Sequence, residues 1–177
     1  MISNNNIEIR RIGAGDGALL ADVAVHAYSD HYLHLWYDKG EWYINKSFSV
    51  KNLLHELEDE NARFYIIYYN DEAVGFLKLN IDSPLQNEKN TNALELERIY
   101  LTKAASGKGI GKRILNYVFQ IAREHHKKFV WLKVMDSSAE AIKFYKNNGF
   151  DICGTYHLDF PQMKEEYRGM YVMKKSL

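Results

Sequence analysis

The run Ser106-Gly107-Lys108-Gly109-Ile110-Gly111 stands between two regular patterns. Before it, Leu94 to Leu101 (LELERIYL) reads as a strand. After it, Ile114, Leu115, Val118, Ile121 and Ala122 recur at spacings of three and four, which is a helix face. The first turn of a helix has N–H groups without partners and carries partial positive charge. Glycine lets that backbone approach a ligand closely and take positive φ. The string is therefore a candidate phosphate cradle, although alone it reads equally as an ordinary strand-to-helix turn. It is neither of two common cradles. No G-x-x-x-x-G-K-[ST] occurs, and Gly107, Gly109 and Gly111 do not fit G-x-G-x-x-G.

Other reactive residue types form no such constellation. His125-His126 has no Cys, Asp or Glu partner at metal-ligand spacing, so no metal is expected. Cys153 is the single cysteine and reads as a small buried hydrophobe. No Ser/His/Asp or Cys/His/Asn motif is present. His26, His31 and His34 on a first helix read as aromatic packing, with substrate contact as the alternative, and Lys127-Lys128 as a solvated helix end.

The cradle needs a scaffold, and the chain has the pattern for one. Ile7 to Ile12 alternates as a strand, and the glycines from Gly13 to Gly17 break it. Leu20, Val23, Ala24, Ala27, Tyr28 and His31 mark a helix. Lys51 to Asn61 reads as a second helix carrying Leu53, Leu54 and Leu57; the residues before it, from 36, have no clear pattern. Arg63 to Tyr69 and Ala73 to Asn80 form a hairpin about Asn70-Asp71. Residues 82 to 92 read as a loop. In the next strand, alternation puts Leu94, Leu96, Arg98 and Tyr100 on one face, and Glu95, Glu97, Ile99 and Leu101 on the other. Phe129 to Met135 is a strand. Ser137-Ser138-Ala139-Glu140 reads as a capping box with Ser137 as N-cap, opening a helix that runs to Asn147 and stops at Gly149. Phe150 to Tyr156 and Met170 to Lys174 are closing strands.

Composition bounds the class. The 177 residues suit one domain, spanning 1–177. Apolar residues are 46% and charged residues 26%, an ordinary globular balance. Lys plus Arg and Asp plus Glu both number 23, so nothing draws the chain to nucleic acid or an anionic membrane. No apolar run reaches a membrane span, and MISNNNIEIRR lacks the apolar core of a secretory signal. One cysteine permits no internal disulfide, so a cytoplasmic location is expected. The 13 tyrosines suit a packed core and leave a homodimer through the closing strands open.

LELERIYL, SGKGIGKRILNYVFQIA and WLKVMDSSAEAIKFYKNNGF together resemble the GNAT acetyltransferase superfamily, and within it the bacterial polyamine N-acetyltransferases of the PaiA kind. The match is strong over residues 94 to 156 and looser back to the hairpin. The family's cradle is [Q/R]-x-x-G-x-[G/A]. Ser106 takes its first position here, which removes one long polar side chain and puts that contact in doubt. Gly109 and Gly111 match. A-I-x-F-Y-x-x-x-G-F around Tyr145 is the more specific half.

The resemblance implies an α/β fold with a mainly antiparallel, splayed sheet flanked by helices, and acetyl-CoA as donor. The pantetheine arm would pair with the backbone of Ile99, Tyr100 and Leu101. The pyrophosphate would sit on the amides of Gly107, Lys108, Gly109, Ile110, Gly111 and Lys112. Ser138 stands where the family commonly has an Asn that contacts the cofactor. Acetyl transfer needs a neutral amine, hydrogen bonds to the developing oxyanion and an acid for the leaving thiolate. The resemblance makes Tyr145 the acid, the Ile99 N–H an oxyanion donor and Glu97 the base. Core packing for Tyr145 and structural ion pairs for Glu97 and Glu95 are the competing readings.

A polyamine acceptor calls for carboxylates. Glu56, Glu58, Asp59 and Glu60, with Asp30 and Glu41, read either as an acidic wall or as a solvated helix face. Tyr32, Trp36, Tyr37, Trp42 and Tyr43 either line the same cleft or pack helices on the sheet. The expected function is acetyl transfer to a small primary amine, first a polyamine. A protein α-amine or lysine acceptor, and a non-catalytic acetyl-CoA sensor, are the alternatives.

Overall fold

Seven segments with strand patterning assemble into one sheet in the computed structural model, which describes residues 7–88 and 92–177. The elements are β1 (Ile7–Arg11), α1 (Gly17–Tyr32), α2 (Glu41–Phe48), α3 (Val50–Leu57), β2 (Ala62–Tyr69), β3 (Glu72–Asn80), β4 (Ala93–Leu101), α4 (Ile110–Glu124), β5 (Phe129–Met135), α5 (Ala139–Asn147), β6 (Asp151–His157) and β7 (Gly169–Ser176). The strand order is β1-β2-β3-β4-β5-β7-β6. Every pair is antiparallel except β4 with β5, so the expected mainly antiparallel α/β fold is what forms. Part of the expected 82–92 loop, residues 89–91, and the first six residues of the N-terminal leader reading lie outside the described residues.

Both faces of the sheet are covered. α4 and α5 pack Ile114, Leu115, Val118 and Tyr145 onto Leu77, Leu94, Val130 and Leu132. Ile114, Leu115 and Val118 are each 0% exposed, and burial of such a side chain stabilises by about 1.5–3 kcal/mol. On the other face α1 and the segment after it pack Leu20, Ala24, Tyr28 and Trp36 against Phe64, Ile66 and Phe76. Among the described residues no helix is long and apolar enough to cross a membrane.

Several sequence expectations are corrected. α3 ends at Leu57, because Glu58 to Asn61 turn into β2. α2 was not foreseen; its eight residues mix polar and aromatic side chains without a clean period. His34 lies beyond α1 in a separate short turn. The N-cap of α5 is Ser138 rather than Ser137, and its side chain makes no capping bond. The helix end is as expected: Gly149 has φ +90°, and the Phe150 and Gly149 N–H groups bond the Tyr145 and Lys146 carbonyls at 3.1 Å each. Cys153 is exposed, because β6 is an edge strand with little over either face. Lys127 is buried instead of solvated; α4 has already ended, and its ammonium pairs with Asp82.

β4 departs from simple alternation. Arg98 pairs with Lys78, but Leu96 pairs with Leu79, so Glu97 is an extra residue in the strand. This bulge swaps the faces beyond it. Leu94 and Leu96 share the α4/α5 face with Ile99 and Leu101, while Tyr100 packs in the α1 cluster. The expected grouping of Leu94 and Leu96 with Tyr100 is therefore wrong, and the bulge is the reason.

Candidate active site

β4 and β5 run together only briefly. Their pairing covers Ala93 to Glu95 against Phe129 to Trp131 and then stops. From Leu96 onward β4 keeps β3 on one side and no strand on the other. Strand alternation decides which backbone groups face the opening. The Thr102 N–H donates to the Val74 carbonyl on β3 at 2.8 Å, so the Ile99 and Leu101 N–H groups point the other way. The Tyr100 N–H faces β3.

A cavity of about 410 Å³ occupies this opening on the α1 side, lined by Glu95, Glu97, Ile99, Tyr100, Ser138 and Tyr145 together with Tyr28, Tyr32, Trp36, Tyr43 and Phe160. A neighbouring cleft of about 810 Å³ runs past Ile99, Leu101, Ser106, Gly111, Ser138 and Tyr145. Ile99, Ser138 and Tyr145 border both. The structure thus brings these three expected site residues together at one junction.

The glycine turn lies at the far end of the cleft. Gly107 and Gly109 have φ of +74° and +72°, and a Cβ at either would meet nothing within 4 Å. The glycines therefore serve backbone conformation and open access, not tight packing. The first bond inside α4 is from the Arg113 N–H to the Gly109 carbonyl at 3.3 Å. The amides of Ile110, Gly111 and Lys112 precede it. No acidic residue lies in that turn, whereas Lys108, Lys112 and Arg113 do. The side chain of Ile110 is core, so only its backbone is available. Asp30 on α1 accepts the Lys103 N–H at 2.8 Å and ties the approach to the turn in place. An open cradle of this sign fits a pyrophosphate, and the free edge of β4 fits an extended amide-bearing arm.

Tyr145 sits on α5, 9% exposed, with ring centroids 5.3 Å from Phe144 and 5.7 Å from Phe150. It is both a core residue and a lining residue. Burial, with the neighbouring Tyr32 phenol adding to it, raises its pKa above the ordinary tyrosine value. The phenol is therefore a protonated donor throughout the neutral range.

The carboxylates are arranged as a network. Glu97 Oε2 lies 2.5 Å from Lys78 Nζ and accepts the Asn80 amide at 2.9 Å; Oε1 lies 3.6 Å from Arg98. Burial would raise its pKa, but Arg98, Lys78 and Asn80 outweigh this and hold the carboxyl below its ordinary value. Glu56 closes the set, 2.7 Å from Lys78 and 3.1 Å from Arg98. Glu95 accepts from Asn80 and from the Ser83 hydroxyl, both at 3.0 Å. Lys78 and Asn80 carried no sequence signal: each is one polar residue in a strand, and only the register of β3 on β4 gives it a role.

The expected acidic wall does not line the cavity. Glu56 is spent on Lys78 and Arg98, Asp30 on the Lys103 amide, and Glu58, Asp59, Glu60 and Glu41 lie away from the lining. Tyr37 is 65% exposed and Trp42 packs behind Trp36. Tyr32, Trp36 and Tyr43 do line it, with Tyr43 stacked on Trp36 at 4.8 Å and on Tyr28 at 5.0 Å. The segment between β6 and β7 closes one side. It is strapped to residues 35–37 by the Trp36–Met163 bridge and by backbone bonds from Tyr37 to Gln162 and from Lys164 to Leu35. Among the described residues, no group of three or more His, Cys, Asp or Glu could hold a metal.

A family model described as the acetyltransferase (GNAT) family matches residues 21–150. An "Uncharacterized N-acetyltransferase in pepI 3'region" from Lactobacillus delbrueckii subsp. lactis is 32% identical over 107 residues, 60% of this chain. The chain spans 62% of that relative's length. A "Spermidine N(1)-acetyltransferase" from Thermoplasma acidophilum is 27% identical over 172 residues, covering 90% of this chain and 98% of the relative. The crystal structure of PaiA N-acetyltransferase from Thermoplasma acidophilum, in complex with coenzyme A, superposes with a TM-score of 0.74. It covers 97% of this chain and 99% of the other at 24% identity, a likeness of fold.

Proposed function

Because this chain belongs to the GNAT acetyltransferase family, we propose that it transfers the acetyl group of acetyl-CoA to a primary amine of a small cationic molecule, in the first place a polyamine such as spermidine. One observation carries the reading. The unpaired edge of β4, Tyr145, and the carboxylates of Glu95 and Glu97 converge on a single walled cavity. A polyamine acceptor is also what the Thermoplasma relative's name states for that protein.

Acetyl-CoA supplies the activated acyl group; the chain's own residues supply the rest. The amides of Gly107 to Lys112 hold the phosphates, with Ser106 beside them in place of a long side chain. The Leu101 N–H pairs with the extended arm, and Ser138 borders it. The Ile99 N–H donates to the carbonyl oxygen as negative charge develops there. Tyr145, kept protonated by burial, gives its proton to the departing sulfur. Glu97 is a weak base because its cation partners hold it ionised. It therefore takes the amine proton late, directly or through water, once the new C–N bond makes the nitrogen acidic.

A cavity of about 410 Å³, walled by Trp36, Phe160 and Met163, suits a slender amine better than a polypeptide. The test is thiol release from acetyl-CoA in the presence of spermidine, spermine, butylamine and a lysine-containing peptide. The reading expects saturable turnover with the polyamines and little with the peptide. Preference for the peptide would overturn the acceptor class.

A further inference from the structure

The edge of β4 offers a reacting carbonyl a single backbone donor. The Ile99 N–H faces the opening and the Tyr100 N–H faces β3. The next amide that faces the opening, on Leu101, lies ~6.6 Å further along the strand, too far to share one oxygen with Ile99. Each further donor aimed at a developing oxyanion lowers the barrier. A second one has to come from a side chain.

Tyr28, Tyr32, Tyr43 and Tyr100 line the cavity on its α1 side. Of these only Tyr32, the last residue of α1, also lines the cleft that leads to the glycine turn. It stands where the two spaces meet, with Ile99 and Tyr145. Its ring is held 5.0 Å from Tyr28 and, edge-on, 5.4 Å from Tyr100, the neighbour of Ile99. Its hydroxyl is not held. Among the described residues it has no hydrogen-bond partner, whereas the Tyr28 hydroxyl accepts the Trp36 Nε1–H at 2.8 Å. Nor is it sealed in: among the described residues, the buried side-chain polar atom without a partner is Gln162 Oε1. The Tyr32 O–H is thus a fixed donor open to the junction. Burial raises its pKa, so it keeps its proton at neutral pH. The Ser138 hydroxyl borders the same junction, but it opens α5, the helix that carries Tyr145. That is the side of the departing sulfur; the oxygen of a thioester diverges from its sulfur, toward α1.

We propose that Tyr32 is a second catalytic donor: its O–H, together with the Ile99 N–H, holds the acetyl carbonyl oxygen as negative charge develops there. This rests on the N-acetyltransferase reading above. The amine nitrogen bonds to the acyl carbon, and the C=O electron pair moves onto the oxygen between the two donors. The pair returns as the C–S bond breaks. The Tyr145 proton goes to sulfur, and the amine proton goes to Glu97 or to water. Tyr32 keeps its own proton throughout.

Infrared difference spectra of acetyl-CoA labelled with ¹³C at the carbonyl, bound without acceptor, read these donors directly. They are taken beside kcat, KM, acetyl-CoA affinity and Tm. Tyr32→Phe keeps the ring contacts and removes the O–H. It should shift the bound carbonyl stretch to higher frequency. It should also lower kcat about 10²-fold for spermidine and butylamine alike, with both KM values within about threefold. A 3-fluorotyrosine at position 32, a stronger donor of nearly the same shape, should shift the stretch the other way. Tyr145→Phe and Ser138→Ala should leave the stretch in place. An unchanged stretch in Tyr32→Phe, a loss confined to KM, or a shift produced by Ser138→Ala instead would overturn the proposal and leave the acetyltransferase reading intact. Wild type that binds acetyl-CoA but acetylates no amine would overturn both.

Discussion

Tyr145 and Glu97 show how surroundings move side-chain pKa values in opposite directions. Burial keeps the phenol protonated, so the proposed acid should not titrate away at alkaline pH. In wild type, kcat/KM should climb with pH as the neutral fraction of an amine with pKa near ~10.4 grows, with no falling limb below about pH 10. Tyr145→Phe keeps the core packing and loses the proton, and kcat should drop about 10²–10³-fold with acetyl-CoA affinity intact. Steady-state rates beside a binding titration check both. Glu97 makes the opposite case. Its folded pKa is depressed, so the stability it contributes is present above the unfolded carboxyl value of ~4.3 and is lost as pH falls through the folded value. Glu97→Gln should cost about 1–3 kcal/mol at neutral pH, because Glu56 still partners both cations. Melting curves should show that gap closing in acid. The sequence marked both residues as candidates. It could not show that Glu97 is ion-paired, since Lys78 and Glu56 come from elements 19 and 41 residues away.

At the scale of elements, periodicity gave what periodicity can give. β4, α4, β5 and α5 were legible because their apolar residues recur cleanly, and the glycines bounded them. The bulge at Glu97 was not legible. An extra residue in a strand is defined by its partner's register, and no composition rule marks it. It keeps Ile99 and Leu101 on the α4/α5 face while Tyr100 turns to the α1 side. α2 was missed because a short amphipathic helix without Leu or Val spacing looks like a loop. The turn before α4 yields a direct prediction. A Cβ at Gly109 meets no atom, so Gly109→Ala pays chiefly for φ of +72°, about 1–2 kcal/mol. Because the added methyl enters the cradle, acetyl-CoA affinity should fall further than stability does, at least about tenfold. Calorimetric titration beside a melting curve separates the two.

For the whole molecule, the site depends on how distant segments are closed over one gap in the sheet. β4 and β5 part after Glu95, and the β6–β7 connection is strapped across the opening. Arg168 secures that strap, bonding the Met163 carbonyl from Nε at 3.0 Å and from Nη2 at 2.7 Å. Arg168→Ala should therefore raise KM for spermidine about tenfold with little change in kcat, because it loosens a wall without touching the reacting atoms. The strap had no sequence signature; residues 158 to 168 carry neither period, and only tertiary contact gives Phe160 and Met163 their place. In the proposed reaction, acetyl passes from acetyl-CoA to a small polyamine in this gap. Mass spectrometry of spermidine after incubation with the protein and acetyl-CoA labelled with ¹³C in the acetyl group tests it most directly. Spermidine should carry one labelled acetyl group, formed in step with free coenzyme A and lost in Tyr145→Phe. Unmodified spermidine beside intact acetyl-CoA would contradict it.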